Sequence, residues 1–170
     1  MPFEETTPVR HRSYSWPDPQ AIAAAAPLTT GLDFLERIVS GDVPQPPIAV
    51  TLDFALVGVT PGTATLEARP ADFGYNAIGT VHGGVIATWA DTAIGYSIQT
   101  RLPEGVSITT LDLQVRYLRA ITADTGLVTI VATAEHVGRR TGTSRAEIRD
   151  AGGKLLATAT STCLVVEPRA

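Results

Sequence analysis

The sequence predicts an α+β domain in which an antiparallel β-sheet wraps one long central α-helix, with a helical extension at the N-terminus. Three observations predict it. Residues 85–98 are apolar nearly all the way round a helix and are entered through the Gly-rich turn Asn76 to Gly84. Six other stretches read as strands, several with a clear alternation of apolar and polar residues. Short turns such as Thr60-Pro61-Gly62 and Asp150-Ala151-Gly152-Gly153 link neighbouring strands tightly, which makes an antiparallel meander.

Taken in order, residues 1 to about 18 mix prolines, charges and isolated aromatics without a period and predict an extended arm, placed to fold over a partner subunit. From Gln20 to Ser40 the apolar positions Ile22, Leu32, Leu35, Ile38 and Val39 predict helix, broken at Pro27, capped at Thr29 or Thr30 and stopped near Gly41. Pro44, Pro46 and Pro47 form a stiff linker. Alternation from Ile48 through Leu56 predicts a first strand, and Thr63 to Ala68 its hairpin partner. After the helix, Thr109, Leu111, Leu113, Val115 and Tyr117 face one way, and Thr110, Asp112, Gln114 and Arg116 the other. Leu127–His136, Thr143–Arg149 and Leu155–Val166 complete the set.

The 170 residues suffice for one core, divided here into an N-terminal arm and helix over 1–47 and the main domain over 48–170. Thirteen Lys and Arg against seventeen Asp and Glu give a net charge of -4, which disfavours nucleic acid and anionic membranes as partners. A single cysteine, Cys163, offers neither an internal disulfide nor a cysteine metal site and reads as a small buried hydrophobe of a cytoplasmic protein. The first twenty residues lack an apolar signal core, and 85–98 is too short to span a bilayer.

The chemistry concentrates in the central helix. Asp91 has Ala87, Thr88, Ile94 and Gly95 as its helical neighbours, so no basic residue on that helix neutralises it. A carboxylate in such a place is hydrogen-bonded to strand hydroxyls or acts as a general base, and the second reading is preferred. Gly83 and Gly84 open the helix, where the first N–H groups lack acceptors; without side chains they let a ligand oxygen approach. Eight residues separate Gly83 from Asp91, or ~12 Å along a helix. Both cannot act on one carbonyl from a single chain, so two antiparallel copies across a two-fold axis are implied. His82 is a proton carrier or, more ordinarily, a loop-shaping residue. Asn76 binds a water or a carbonyl, or makes a turn; Thr110 orients a water beside the carboxylate, or is a plain strand threonine. Trp89, Tyr96, Phe73 and Tyr75 line an aromatic pocket or are core. The three histidines show no metal-ligand spacing, and neither a nucleophile elbow nor a phosphate-binding Lys loop is present.

The joined pattern Asn76-x-x-Gly79-x-x-His82-Gly83-Gly84, Ala90-Asp91-Thr92-Ala93, Thr109-Thr110-Leu111-Asp112-Leu113 and Tyr117-Leu118-Arg119 resembles the hotdog-fold acyl-CoA thioesterases of the phenylacetate-degradation (PaaI-like) family, over roughly residues 30–166. The resemblance implies a hotdog fold, a dimer or a dimer-of-dimers tetramer, and hydrolysis of acyl-CoA without a metal or a separate cofactor, CoA being part of the substrate. It also implies Asp91 as general base or nucleophile and Gly83 as amide donor to the thioester carbonyl. Asn76 is implied to place the carbonyl or the water, Thr110 to assist Asp91, and Gly138, Arg139 and Arg140 to lie near the CoA phosphates. The alternatives are a hotdog protein that binds acyl-CoA or another acyl ligand without hydrolysing it, and a hydratase or dehydratase on the same fold.

Overall fold

The computed structural model describes residues 8–167. Of the expected arm, residues 1–7 lie outside the described residues. Residues 8–18 have no regular structure and are largely exposed; from this segment Arg12 donates to the carbonyls of Val50 and Thr51 and stacks 3.7 Å from the Phe73 ring centroid.

Helix α1 (Pro19–Ala25) starts at Asp18, whose carboxylate accepts from the Gln20 amide, and passes at Pro27 into a 3-10 turn over Ala26–Leu28. Helix α2 (Gly31–Ser40) is capped by Thr30, whose hydroxyl accepts from Asp33 N–H, and ends at Gly41. It buries Phe34, Leu35 and Ile38 in the same core as the sheet. Its first residue must be glycine: the Gly31 amide donates to Leu102 O, and a Cβ there would lie 1.9 Å from Gln99 O.

The alternation from Ile48 to Leu52 does not make a strand. Residues Pro47–Leu52 form the short helix α3, and strand β1 begins only at Phe54 (Phe54–Thr60). Pro47 occupies the first helical position, where its fixed φ suits a helix and its missing N–H costs nothing. The expected boundary at 47/48 therefore falls inside α3.

Strand β2 (Thr63–Ala68) pairs with β1, and helix α4 (Gly83–Gln99) follows. Strands β3 (Ser107–Tyr117), β4 (Val128–Val137), β5 (Thr141–Asp150) and β6 (Leu155–Val166) complete one six-stranded sheet, antiparallel throughout, in the order β1-β2-β4-β5-β6-β3. The expected meander holds for β4-β5-β6 but not for β3. The chain crosses the sheet face as α4, so β3 emerges at the far edge beside β6 and leaves its outer edge unpaired.

Helix α4 packs against β2 through β6 and buries Ile86, Trp89, Ala90, Ala93, Ile94 and Ile98. The sheet wraps this helix, as its apolar composition predicts, and leaves one of its faces uncovered in the single chain. Gly84, Ala87, Thr88 and Asp91, which share one face at helical spacing, are half-buried or exposed in the single chain.

A register shift between Thr110 and Asp112 corrects the facing of β3. This bulge at Leu111 lets Thr110 share the α4-facing side with Leu113, Val115 and Tyr117, while Leu111 turns out to solvent, 58% exposed. Simple alternation had put Thr110 and Tyr117 on opposite faces.

Candidate active site

The first turn of α4 carries the N–H groups that no helical carbonyl can reach. His82 takes up most of them. Its Nδ1 accepts from Gly84 N–H at 2.8 Å, and its carbonyl accepts from Val85 N–H at 2.9 Å and Ile86 N–H at 3.3 Å. The Gly83 N–H has no acceptor among the described residues. It is a free donor at the positive end of the helix.

Because Nδ1 accepts, His82 is the helix cap in this geometry.

Asn76 organises the loop that precedes α4. Its Oδ1 accepts from the amides of Ile78 (3.0 Å) and Thr80 (3.2 Å), its Nδ2 donates to Thr80 Oγ1 at 3.0 Å, and its own N–H donates to Thr80 O at 2.8 Å. This turn brings Asn76 beside Gly83 on a cavity of about 340 Å³, walled by Thr80, Ile86, Tyr117 and Ile121. One Nδ2 hydrogen of Asn76 is left to a ligand.

Two turns along α4, Asp91 is half-buried, and its Oδ1 accepts from Thr110 Oγ1 at 2.9 Å. No Arg, Lys or His pairs with it among the described residues. Thr110 reaches the carboxylate only because of the β3 bulge. Behind it, Cys163 sits opposite Thr110 in the β3–β6 register and is fully buried. Burial pushes its thiol up; the nearby Ser161 and Thr110 hydroxyls oppose this, and Asp91 and Asp112 add to it. The thiol is therefore a core group rather than a nucleophile.

Gly138, Arg139 and Arg140 form the β4–β5 turn, closed by Gly138 N–H donating to Thr141 O at 2.9 Å. Gly138 and Arg139 line a concavity with Arg101 and Glu167 just past the C-terminal end of α4. The 17 residues of α4 separate this turn from Gly83 by ~25 Å. Within one chain the structure thus joins Asp91 with Thr110, and Gly83 with Asn76 and His82, but it joins neither Gly83 with Asp91 nor the arginine turn with Gly83.

Among the four aromatic candidates, Trp89 is fully buried core and Phe73 lies under Arg12. Tyr75 is held by the Ala123 amide, and burial pushes the Tyr96 hydroxyl up to about 12. None lines the Gly83 cavity. Two residues to which the sequence reading gave no role line these cavities, Tyr117 and Arg101. Tyr117 stood in the quoted motif without a role, because its contact with Gly83 depends on the bulge. Arg101 follows the helix by two residues, and only the return of β4–β5 places Arg139 on the same concavity.

Among the described residues no three His, Cys, Asp or Glu side chains are grouped to share a metal ion, and no helix is long and apolar enough to cross a membrane.

Residues 78–157 match the family described as the thioesterase superfamily. A solved structure from Ralstonia eutropha JMP134, described as a candidate thioesterase related to phenylacetic acid degradation, is 31% identical; the match covers 76% of this chain and 98% of that one, with a TM-score of 0.69. A protein of Streptococcus mutans UA159 solved with acetyl-CoA bound is 25% identical, over 69% of this chain and 92% of its own, with a TM-score of 0.62. A candidate esterase of Halobacterium salinarum is 46% identical over 48 residues, which are 27% of this chain. That match spans 32% of the relative's length.

Proposed function

The chain belongs to the thioesterase superfamily, within its phenylacetate-degradation (PaaI-like) branch, and from that premise we propose that it hydrolyses an acyl-CoA thioester to the free acid and CoA. The observation that carries the reading is that one helix bears both an amide without an acceptor, Gly83 N–H, and a carboxylate anchored by a hydroxyl and without a counter-charge, Asp91, among the described residues. The relative that holds acetyl-CoA supports a CoA thioester as the ligand.

In this reading the working site is composite. A second copy packed antiparallel along the bare face of α4 brings the Gly83 end of one helix to the Asp91 of the other. The small residues Gly84, Ala87 and Thr88 on that face permit close approach, and the unpaired edge of β3 is available for pairing with the same copy. The arginine turn at Gly138 to Arg140, with Arg101, then lies toward the partner's Gly83 cavity, where it can hold the phosphates of CoA.

Asp91 takes a proton from water, with Thr110 fixing one carboxylate oxygen so that the other meets the water. The water oxygen bonds to the thioester carbon, and the carbonyl electron pair moves onto oxygen, where the Gly83 N–H stabilises it. Collapse breaks the C–S bond; CoA leaves as thiolate and recovers the proton from Asp91. Asn76 positions the carbonyl through its remaining Nδ2 hydrogen. His82 supports the turn.

Thiol release measured across aryl, short-chain and long-chain acyl-CoAs tests this reading. Hydrolysis of at least one class is expected, and Asp91→Asn should lower kcat by about 10²-fold or more with the fold retained. Near-wild-type turnover in Asp91→Asn would sink the assignment, and binding of acyl-CoA with no thiol release would favour a non-hydrolytic ligand carrier.

A further inference from the structure

A free amide is useful to an oxyanion only if it keeps one orientation, since preorganised donors stabilise charge and mobile ones must be ordered at the moment of reaction. Gly83 and Gly84 are a poor choice on that criterion. Two successive glycines at a helix end have more backbone freedom than any other pair. The structure holds them from outside the helix. The Tyr117 hydroxyl, delivered by the end of β3, donates to Gly83 O at 2.9 Å. The N–H of that same peptide unit, on Gly84, donates to His82 Nδ1 at 2.8 Å. Thr88 Oγ1 donates to Gly84 O at 2.9 Å and holds the next unit. The Tyr117 ring also covers the glycine, since a Cβ on Gly83 would lie 3.1 Å from its Cζ and its hydroxyl oxygen.

We infer that Tyr117 is a positioning residue, fixing the Gly83–Gly84 peptide so that the adjacent Gly83 N–H is presented in one orientation at the edge of the cavity; this rests on the reading of Gly83 as oxyanion donor. Tyr117→Phe keeps the ring and removes only the hydrogen bond.

The expected result is a fall in kcat of about tenfold, less than the loss of a whole oxyanion donor. KM, and the Kd of a non-hydrolysable thioether analogue of the same acyl-CoA, should stay within about twofold of wild type. Hydrogen exchange of the Gly84 amide should quicken while the melting temperature holds. A kcat within about twofold of wild type overturns the inference. So does a loss carried equally by thioether binding, which would mark Tyr117 as a cavity wall only. Asp91→Asn is run in parallel. If it is inactive while Tyr117→Phe behaves as wild type, the positioning role fails alone; if wild type releases no thiol from any acyl-CoA, both readings fall together.

Discussion

His82 and Gly83 divide the work of one helix end. The imidazole accepts from Gly84 N–H and so removes the neighbouring donor from competition, leaving Gly83 N–H as the one donor without an acceptor in that turn. A capping role and a proton-carrying role make opposite predictions for one substitution. Asn is among the best N-caps but cannot carry a proton near neutrality. His82→Asn is therefore expected to retain kcat within about fivefold, with a pH–rate profile of unchanged shape. A loss of about 10²-fold or more would return His82 to acid–base duty. Asp91 shows the same economy of partners. The only hydrogen bond to its carboxylate among the described residues comes from Thr110, a neutral hydroxyl that orients it without neutralising its charge.

At the scale of the elements, α2 packs into the same core as the sheet. Leu35 is fully buried, and Gly31 docks backbone to backbone against the end of α4. Gly31→Ala puts a methyl group into the Gln99 carbonyl, so the whole domain should lose about 1–3 kcal/mol in a urea titration, with a single transition. An unchanged midpoint would mean that α2 docks independently of the core. The bulge in β3 is the other decisive element. One extra residue at Leu111 turns Thr110 and Tyr117 to the same side, so a single strand serves the carboxylate of α4 at one end and its glycine turn at the other.

At the scale of the molecule, the 17-residue helix keeps the donor and the base of one chain apart, and the proposed catalyst is a pair of chains. Subunit mixing tests this directly. Asp91→Asn and Gly83→Ala homodimers are each expected to be nearly inactive, the alanine crowding the Tyr117 ring and displacing it at the donor. Unfolded together in equal amounts and refolded, half of the dimers contain one chain of each kind, and each such dimer has one intact site out of two. Activity should therefore recover to about a quarter of wild type. No recovery would mean that each site lies within one chain.

The sequence by itself determined most of the elements and singled out Gly83 and Asp91 as candidates. The caps at Thr30 and Gly41, the helix opening at Gly83 and the hairpin turn at Pro61-Gly62 are local signals, written in residues that few other conformations accommodate. Asp91 stood out because a lone carboxylate in an apolar helix requires a reason. Tertiary structure decided what depends on residues far apart in the chain: the place of β3 at the sheet edge, the bulge that pairs Thr110 with Asp91, the hold of Tyr117 on Gly83, and the concavity that Arg101 and Arg139 share. Alternation carries no record of an inserted residue, and five residues after a proline suit a helical turn as well as a strand, which is why Ile48 to Leu52 and the faces of β3 were legible only in the fold.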